Sequence, residues 1–147
     1  MNTEKHRSDK EEGEEEYMHA ALTGRIIGVF YDVYNELGFG FLESVYKEAM
    51  RLALRDVGLA VNPIAELPVW FRGQQVGVFI PDLLVEGLVY LELKSVRSLD
   101  PAHESQLLNY LRATPIEVGL LLNFGPKPQV KRLLFDNPRK RHRGVPD

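Results

Sequence analysis

The chain has 147 residues, enough for one domain whose hydrophobic core needs neither disulfides nor a structural metal. It contains no cysteine, which excludes zinc–thiolate sites, redox motifs and cysteine nucleophiles. No apolar run approaches the roughly 20 residues needed to cross a bilayer, and the N-terminus is too acidic for a signal peptide. We therefore expect a cytoplasmic protein.

Charge is distributed unevenly along the chain. The net charge is −3, but residues 1–16 carry seven acidic and three basic side chains, whereas residues 136–147 carry four basic and two acidic ones. An acidic run without apolar partners is typical of disorder. We predict a disordered acidic tail over 1–17, a folded domain over 18–135 and a basic tail over 136–147. The basic cluster 139–143 is either a phosphate-binding segment or a solvated chain end.

Two helices open the predicted domain. Apolar residues recur at helical spacing from Ala20 to Leu37 and again from about Leu42 to Val57, and glycines follow both segments. The recurring apolar positions of the first helix are Ile26, Ile27, Phe30, Val33, Tyr34 and Leu37, and those expected to be buried by the second are Leu42, Val45, Tyr46, Ala49, Met50 and Ala53.

Strands follow the two helices. Runs rich in β-branched and aromatic residues predict strands at about 60–71, 75–85 and 88–96. A helix with proline in its first turn is predicted over 101–113, and a buried strand over 118–124. This alternation of helices and strands predicts an α/β fold.

Three charged side chains fall within two neighbouring apolar strands. Asp82 stands at the head of one run, directly before Leu83. Glu92 and Lys94 lie in the next run and project from the same face, because side chains alternate along a strand. The short Glu86-Gly87 connection would fold the two runs into a hairpin and bring Asp82 and Glu92 side by side.

Charges in an apolar strand pair are costly unless they are paired or bind a metal. Two clustered carboxylates form a hard oxygen site suited to Mg²⁺ or Mn²⁺. A divalent ion lowers the pKa of a bound water, and a nearby lysine can orient or deprotonate that water. Asp82, Glu92 and Lys94 are therefore the residue set of a metal-dependent phosphodiesterase. The alternative is a solvated strand pair with Asp82 as a turn residue.

Motifs on both sides of the hairpin extend this pattern. Gly40, Glu43 and Tyr46 lie upstream, and the segments 103–111 and 118–125 lie downstream. Together they resemble the GxxExxY protein family, a branch of the PD-(D/E)xK nuclease superfamily, over about residues 20 to 135. The resemblance implies a restriction-endonuclease-like core, with a mixed central β-sheet flanked by α-helices, and metal-dependent hydrolysis of DNA.

The same resemblance completes the candidate catalytic set. In the superfamily, a helix with an acidic residue precedes the hairpin and a helix with a glutamine often follows it; Glu43 and Gln106 occupy those places. Asp82, Glu92 and Glu43 would then bind the metal, and Gln106 would contact the attacking water or a phosphate oxygen. On the residues alone, an ordinary i,i+4 pair with Lys47 is the better interpretation of Glu43, and Gln106 is equally a polar residue on the solvated side of its helix.

Other positions are candidates for binding or for structure. Lys47 and Arg51 begin a basic stripe that either holds a DNA backbone or forms a solvated helix face. Tyr110 shares a helix face with Gln106 and His103, so these three side chains could border the site. The further motif positions are assigned as follows: Tyr46 packs in the core with its hydroxyl near Glu43, Gly38 and Gly40 serve backbone geometry, and Asn123 ends a strand from which it could reach the cleft.

Two other functions stay open at this point. One is a non-catalytic nucleic-acid-binding or adaptor domain on the same fold. The other is a metal-dependent hydrolase of small phosphoesters, which the nearly neutral middle of the chain favours over a tight binder of duplex DNA. Nucleases of this fold often need two active sites to cut both strands, so a homodimer is also expected.

Overall fold

The computed structural model describes residues 18–63 and 66–140, and its core is a mixed β-sheet covered by helices on both faces. The helices are α1 (Ala20–Leu37), α2 (Glu43–Asp56) and α3 (Pro101–Ala113). The strands are β1 (Val61–Asn62), β2 (Leu67–Phe71), β3 (Gln74–Phe79), β4 (Leu83–Val85), β5 (Val89–Lys94), β6 (Val118–Phe124) and β7 (Pro128–Leu134), and a short 3-10 helix Asn137–Arg139 follows.

The main sheet has five strands in the order β1-β4-β5-β6-β7. Only β5 and β6 are parallel, with α3 connecting them, and the other neighbours are antiparallel. Strands β2 and β3 form a separate antiparallel hairpin. The predicted α/β class with a mixed central sheet flanked by helices is confirmed.

The alternation of side chains along β5 divides the core into two layers. Leu91 and Leu93 pack with α1 and α2 on one face of the sheet, whereas Tyr90 packs with Leu107 and Leu111 of α3 on the other. All seven residues of the neighbouring strand β6 are buried, as expected for a strand covered on both faces.

The loop between α1 and α2 is fixed by backbone geometry and by one aromatic side chain. Gly38 and Gly40 have φ values of 68° and 110°, in the region that favours glycine. The buried ring of Tyr46 stacks on Phe124 with centroids 4.1 Å apart, which confirms it as a core residue. Its hydroxyl donates to the Gly38 carbonyl at 2.6 Å and accepts from the Phe41 amide, so it holds this loop.

Three sequence predictions were wrong in detail. The segments 60–71 and 75–85 each divide into two strands that belong to different sheets, and Pro81, which has no amide hydrogen, lies in the second break. Strand β7 was not predicted. Helix α2 buries Tyr46, Met50 and Leu54, whereas Leu42 and Val45 are exposed instead of buried.

Both predicted tails lie largely outside the described residues. The acidic tail 1–17 and residues 141–147 of the basic tail are among them. The first part of the basic tail packs on the domain: Asp136 is buried, and Lys140 Nζ donates to the carbonyls of Thr114 and Ile116 at 2.5 and 2.7 Å. Across the described residues, no helix combines the length and the apolar character that spanning a membrane requires.

We predict that Gly125→Ala destabilises the protein by about 1–3 kcal/mol. A Cβ at Gly125 would lie 2.1 Å from the Val96 carbonyl oxygen, a backbone atom that cannot move aside cheaply. The matched control is Gly24→Ala in α1, where a Cβ meets nothing within 4 Å and alanine should add about 0.5–1 kcal/mol of helix stability. Urea denaturation measures both variants. Equal changes in the two would contradict the packing of Gly125 against Val96.

Candidate active site

The candidate site is built on the β4–β5 hairpin. Leu83 pairs with Leu91 and Val85 with Val89, so the two strands form the antiparallel hairpin that the sequence predicted. Three residues, Glu86, Gly87 and Leu88, connect the paired Val85 and Val89, and Glu86 and Gly87 have φ values of 55° and 66°. Two consecutive positive φ values are typical of the tight hairpin turn whose twist matches that of the flanking strands. The turn therefore fixes which residues of β4 and β5 lie opposite each other.

Asp82 lies one residue beyond the last paired residue of β4, opposite Glu92. Its carboxylate oxygen Oδ2 accepts a hydrogen bond of 2.8 Å from the Leu93 amide. The backbone of β5 thus holds the Asp82 carboxylate next to Glu92, on the strand that also carries Lys94. This contact replaces the strand pairing that ends at Leu83.

Glu92 is a buried acid, with 9% of its surface exposed. Its pKa is raised from 4.5 to about 7: burial is the largest cause, the negative charges of Asp82 and, more weakly, Glu43 act in the same direction, and Lys94 and the Asp82 backbone oppose the shift. Desolvation and like charges both disfavour the ionised form of a carboxyl group. Near neutral pH the Glu92 carboxyl is therefore only partly ionised, and a bound cation would strongly favour its ionised form.

Lys94 ends β5 and projects from the same face as Glu92, because the two are two residues apart on one strand. It is half-buried, and its charge acts on the Glu92 carboxyl. Glu43, the first residue of α2, reaches the same end of β5: its Oε1 accepts from the Ser95 amide at 3.3 Å. Glu43 itself is exposed, and within the described residues it forms no ion pair with Lys47.

The predicted site residues of α3, Gln106 and His103, form hydrogen bonds away from the carboxylate pair. Gln106 Nε2 donates to the Tyr110 hydroxyl at 2.9 Å, and the Tyr110 ring stacks on Phe79 of β3. Within the described residues, no hydrogen bond joins Gln106 to the Asp82–Glu92 pair. His103 accepts from the Asp100 amide through Nδ1 and completes a capping box at the start of α3, so its position has a structural reason.

One residue of the predicted basic stripe on α2 is paired with an acidic residue of the same helix. Arg51 forms an ion pair with Glu48, and Arg51 Nε donates to Glu48 Oε2 at 3.0 Å. Lys47, one turn after Glu43, is half-buried. The geometry of Arg51 matches the solvated helix face that the sequence left as an alternative.

The segment after Lys94 is held by two amide side chains, the buried Asn123 and the half-buried Gln129, to which the sequence analysis assigned no such role. Asn123, fully buried at the end of β6, accepts from the Val96 amide at 3.0 Å and donates to the Val96 carbonyl at 2.9 Å. It also donates to Gln129 Oε1, which in turn accepts from the Leu99 amide. The available signal was a lone amide near the end of an otherwise apolar strand, since a buried polar group must find partners.

The donor set fits a divalent ion held by two carboxylates. Over residues 18–63 and 66–140, no three histidine, cysteine, aspartate or glutamate side chains are grouped as a metal site, so Glu43 is not assembled with Asp82 and Glu92 into a three-carboxylate cluster. Mg²⁺ is usually bound by one or two protein carboxylates, with waters and substrate phosphates as further ligands. Asp82 and the buried Glu92 satisfy that requirement.

A mixed sheet with helices on both faces, carrying adjacent carboxylates and a lysine on one hairpin, defines a restriction-endonuclease-like α/β domain. A family model described as PD-(D/E)XK nuclease superfamily matches residues 20–133. The chain therefore belongs to the PD-(D/E)XK nuclease superfamily, as the resemblance indicated, and this membership supports nuclease-type activity in general. No protein with a curated description and no solved structure shows significant similarity to the chain.

We predict that Glu92 makes the metal-free protein less stable as the pH rises. The pKa of Glu92 is raised in the folded state, from 4.5 to about 7, so its stabilising protonation is complete below the unfolded value and is lost as the pH rises through about 7. At about 1.4 kcal/mol per pKa unit the loss amounts to about 3 kcal/mol. Glu92→Gln should remove this part of the pH dependence.

Urea denaturation in EDTA from pH 4 to 8 measures the effect. The matched control is Glu36→Gln, which changes an exposed glutamate of α1 and should retain the wild-type profile. If Glu92→Gln and Glu36→Gln gave the same pH profile, the burial of the Glu92 carboxyl would be wrong.

Proposed function

We propose that this protein is a Mg²⁺- or Mn²⁺-dependent nuclease that hydrolyses phosphodiester bonds in DNA, and that it belongs to the GxxExxY branch of the superfamily. The observation that carries the proposal is the buried Glu92 carboxyl beside Asp82, with Lys94 on the same face of the strand. Burying a carboxyl group beside a second carboxylate has no benefit for stability, and a binding site for a divalent ion would explain the arrangement.

In this proposal each residue of the hairpin has a separate task. Asp82 and Glu92 hold the metal ion, which would lower the pKa of a bound water and offset negative charge at the phosphorus. The Lys94 ammonium donates hydrogen bonds to the attacking water or to the scissile phosphate, where it stabilises developing negative charge. Glu43 is a further carboxylate at the same end of β5, close enough for its charge to act on Glu92.

We place the other candidate residues, Gln106, Lys47, Arg51 and Tyr110, at the edge of the site. Gln106 would contact water or phosphate only after exchanging its bond to Tyr110. Lys47, Arg51 and Tyr110 would contact the nucleic acid, with Arg51 shared between Glu48 and a phosphate. We further propose that residues 18–135 are the catalytic unit and that cutting both strands of a duplex requires a homodimer, since each chain supplies one site.

A cleavage assay tests the function. We expect the wild type to cut DNA with Mg²⁺ or Mn²⁺ and to lose activity in EDTA. Asp82→Ala and Lys94→Ala should each lower the rate at least about 100-fold, because groups that stabilise transition-state charge typically contribute that much. The matched controls are Asp32→Ala on α1 and Lys131→Ala on β7, which remove the same charges from exposed positions and should retain activity.

Calorimetry with Mn²⁺ separates the alternatives. Metal binding that is lost in Asp82→Ala, without cleavage of any DNA, would contradict the substrate and favour a small phosphoester, which bis(p-nitrophenyl) phosphate would reveal. Absence of both cleavage and metal binding would overturn the proposed enzymatic activity. The alternative of a non-catalytic nucleic-acid-binding domain would then be favoured. Equal activity in Asp82→Ala and Asp32→Ala would contradict the site itself.

A further inference from the structure

A cleft of about 510 Å³ opens immediately beyond the candidate site. Its wall contains Ser95, the residue after Lys94, together with the turn between β6 and β7 and the loop between α1 and α2. The Ser95 amide donates to Glu43, so the cleft and the carboxylate site meet at the end of β5. The volume lies within the range of about 300–1,000 Å³ that small-molecule pockets occupy.

The cleft is positively charged. Arg97 and Lys127 line it, and no aspartate or glutamate is among its lining residues. Neither cation forms an ion pair within the described part of the chain, whereas Arg51 and Lys131 do. A guanidinium and an ammonium that face one recess without a counter-charge favour an anionic ligand, and a phosphate above all.

The same cleft offers an exposed aromatic ring. Phe39 lines it with 61% of its surface exposed. The ring belongs to the loop that the Tyr46 hydroxyl and the positive φ values of Gly38 and Gly40 hold in place. Nucleobases stack on such rings whatever their sequence, because every base has a π face.

One wall also carries an unused hydrogen-bond donor. Gln129 lines the cleft, and its Oε1 is engaged by the Leu99 amide and by Asn123. Over the residues that the structure describes, its Nε2 donates to no protein acceptor. Because Oε1 is held from two sides, the orientation of the amide is fixed and its free N–H groups can bind a base edge or a sugar oxygen.

We propose that this cleft is a nucleotide subsite, which stacks the base of one unpaired nucleotide next to the scissile bond on Phe39 and binds its phosphate through Arg97 and Lys127. The inference rests on the proposed nuclease function and names its substrate class. A base in continuous duplex is stacked and paired, so entering the cleft costs a few kcal/mol, and least when the strand is already single. The protein therefore prefers single-stranded or frayed DNA to continuous duplex.

Fluorescence anisotropy in EDTA tests the subsite without cleavage. The probes are a labelled 12-nucleotide single strand and the blunt duplex of the same sequence. We expect the wild type to bind the single strand more tightly, and Phe39→Ala to weaken that binding about tenfold. The matched control is Phe71→Ala, which removes a phenylalanine of similar exposure (56%) at the end of β2 and should change nothing.

Salt dependence tests the two cations. Arg97→Gln and Lys127→Gln should each lower the slope of log affinity against log salt by about 0.7, the value for one phosphate contact on a single strand. The matched control is Arg72→Gln, because Arg72 lies over the Phe71 ring away from the cleft and its removal should leave the slope unchanged. All substituted side chains are exposed, so circular dichroism should show wild-type folding for every variant.

The outcomes separate the subsite from the nuclease. Equal effects of Phe39→Ala and Phe71→Ala, or tighter binding of the duplex, would overturn the subsite even if metal-dependent cleavage is present. Single-strand binding that depends on Phe39 and persists in Asp82→Ala supports the subsite; if the wild type also cuts no DNA, only the nuclease falls. A wild type that binds neither probe overturns the subsite, and the cleavage assay with Mg²⁺ or Mn²⁺ then decides the nuclease separately.

Discussion

The contact on which the rest of this site depends is the approach of Asp82 to Glu92 across the β4–β5 hairpin. It places a second negative charge beside a buried carboxyl group, and burial and that charge together raise the pKa of Glu92 to about 7. Without a bound cation, that arrangement destabilises the protein, since Lys94 and the Asp82 backbone offset desolvation and repulsion only in part. The fold has to supply the compensation, and it does so on the opposite face of the same strand, where Leu91 and Leu93 are fully buried against α1 and α2.

Polar contacts then stiffen the end of β5 where the chemistry would take place. Asn123 binds both backbone groups of Val96, and Gln129 binds Leu99, so the segment after Lys94 is tied to β6 and β7. A buried amide that is hydrogen-bonded through both its oxygen and its nitrogen, as Asn123 is, holds one backbone arrangement more specifically than apolar packing would. The positions of Lys94 and of the cleft beside it are thus set by the same two side chains, which link the carboxylate pair to the proposed nucleotide subsite.

Much of this could be predicted from local sequence, because it follows from periodicity. The helix 101–113, the strand 118–124 and the facing positions of Asp82 and Glu92 follow from repeats of 3.6 and 2 residues and a tight turn. The break at Pro81, the exposure of Leu42 and the strand β7 depend on which sheet or helix is a neighbour, and one sequence does not contain that information. The engagement of Gln106 by Tyr110 is likewise a result of tertiary packing around Phe79.

The middle of the chain is nearly neutral, which in the sequence argued against a nuclease that binds duplex DNA tightly. The charges that line the cleft meet this objection. Net charge describes long-range attraction to a polyanion, whereas a recess with low-dielectric walls strengthens the few charges that line it. Arg51 and Lys131 face carboxylates, and Arg97 and Lys127 face the cleft beside Lys94. A protein organised in this way gains little from a continuous duplex backbone, which needs many distributed contacts. It gains more from a single strand that enters the cleft, where Arg97, Lys127 and the Phe39 ring lie beside the carboxylate site.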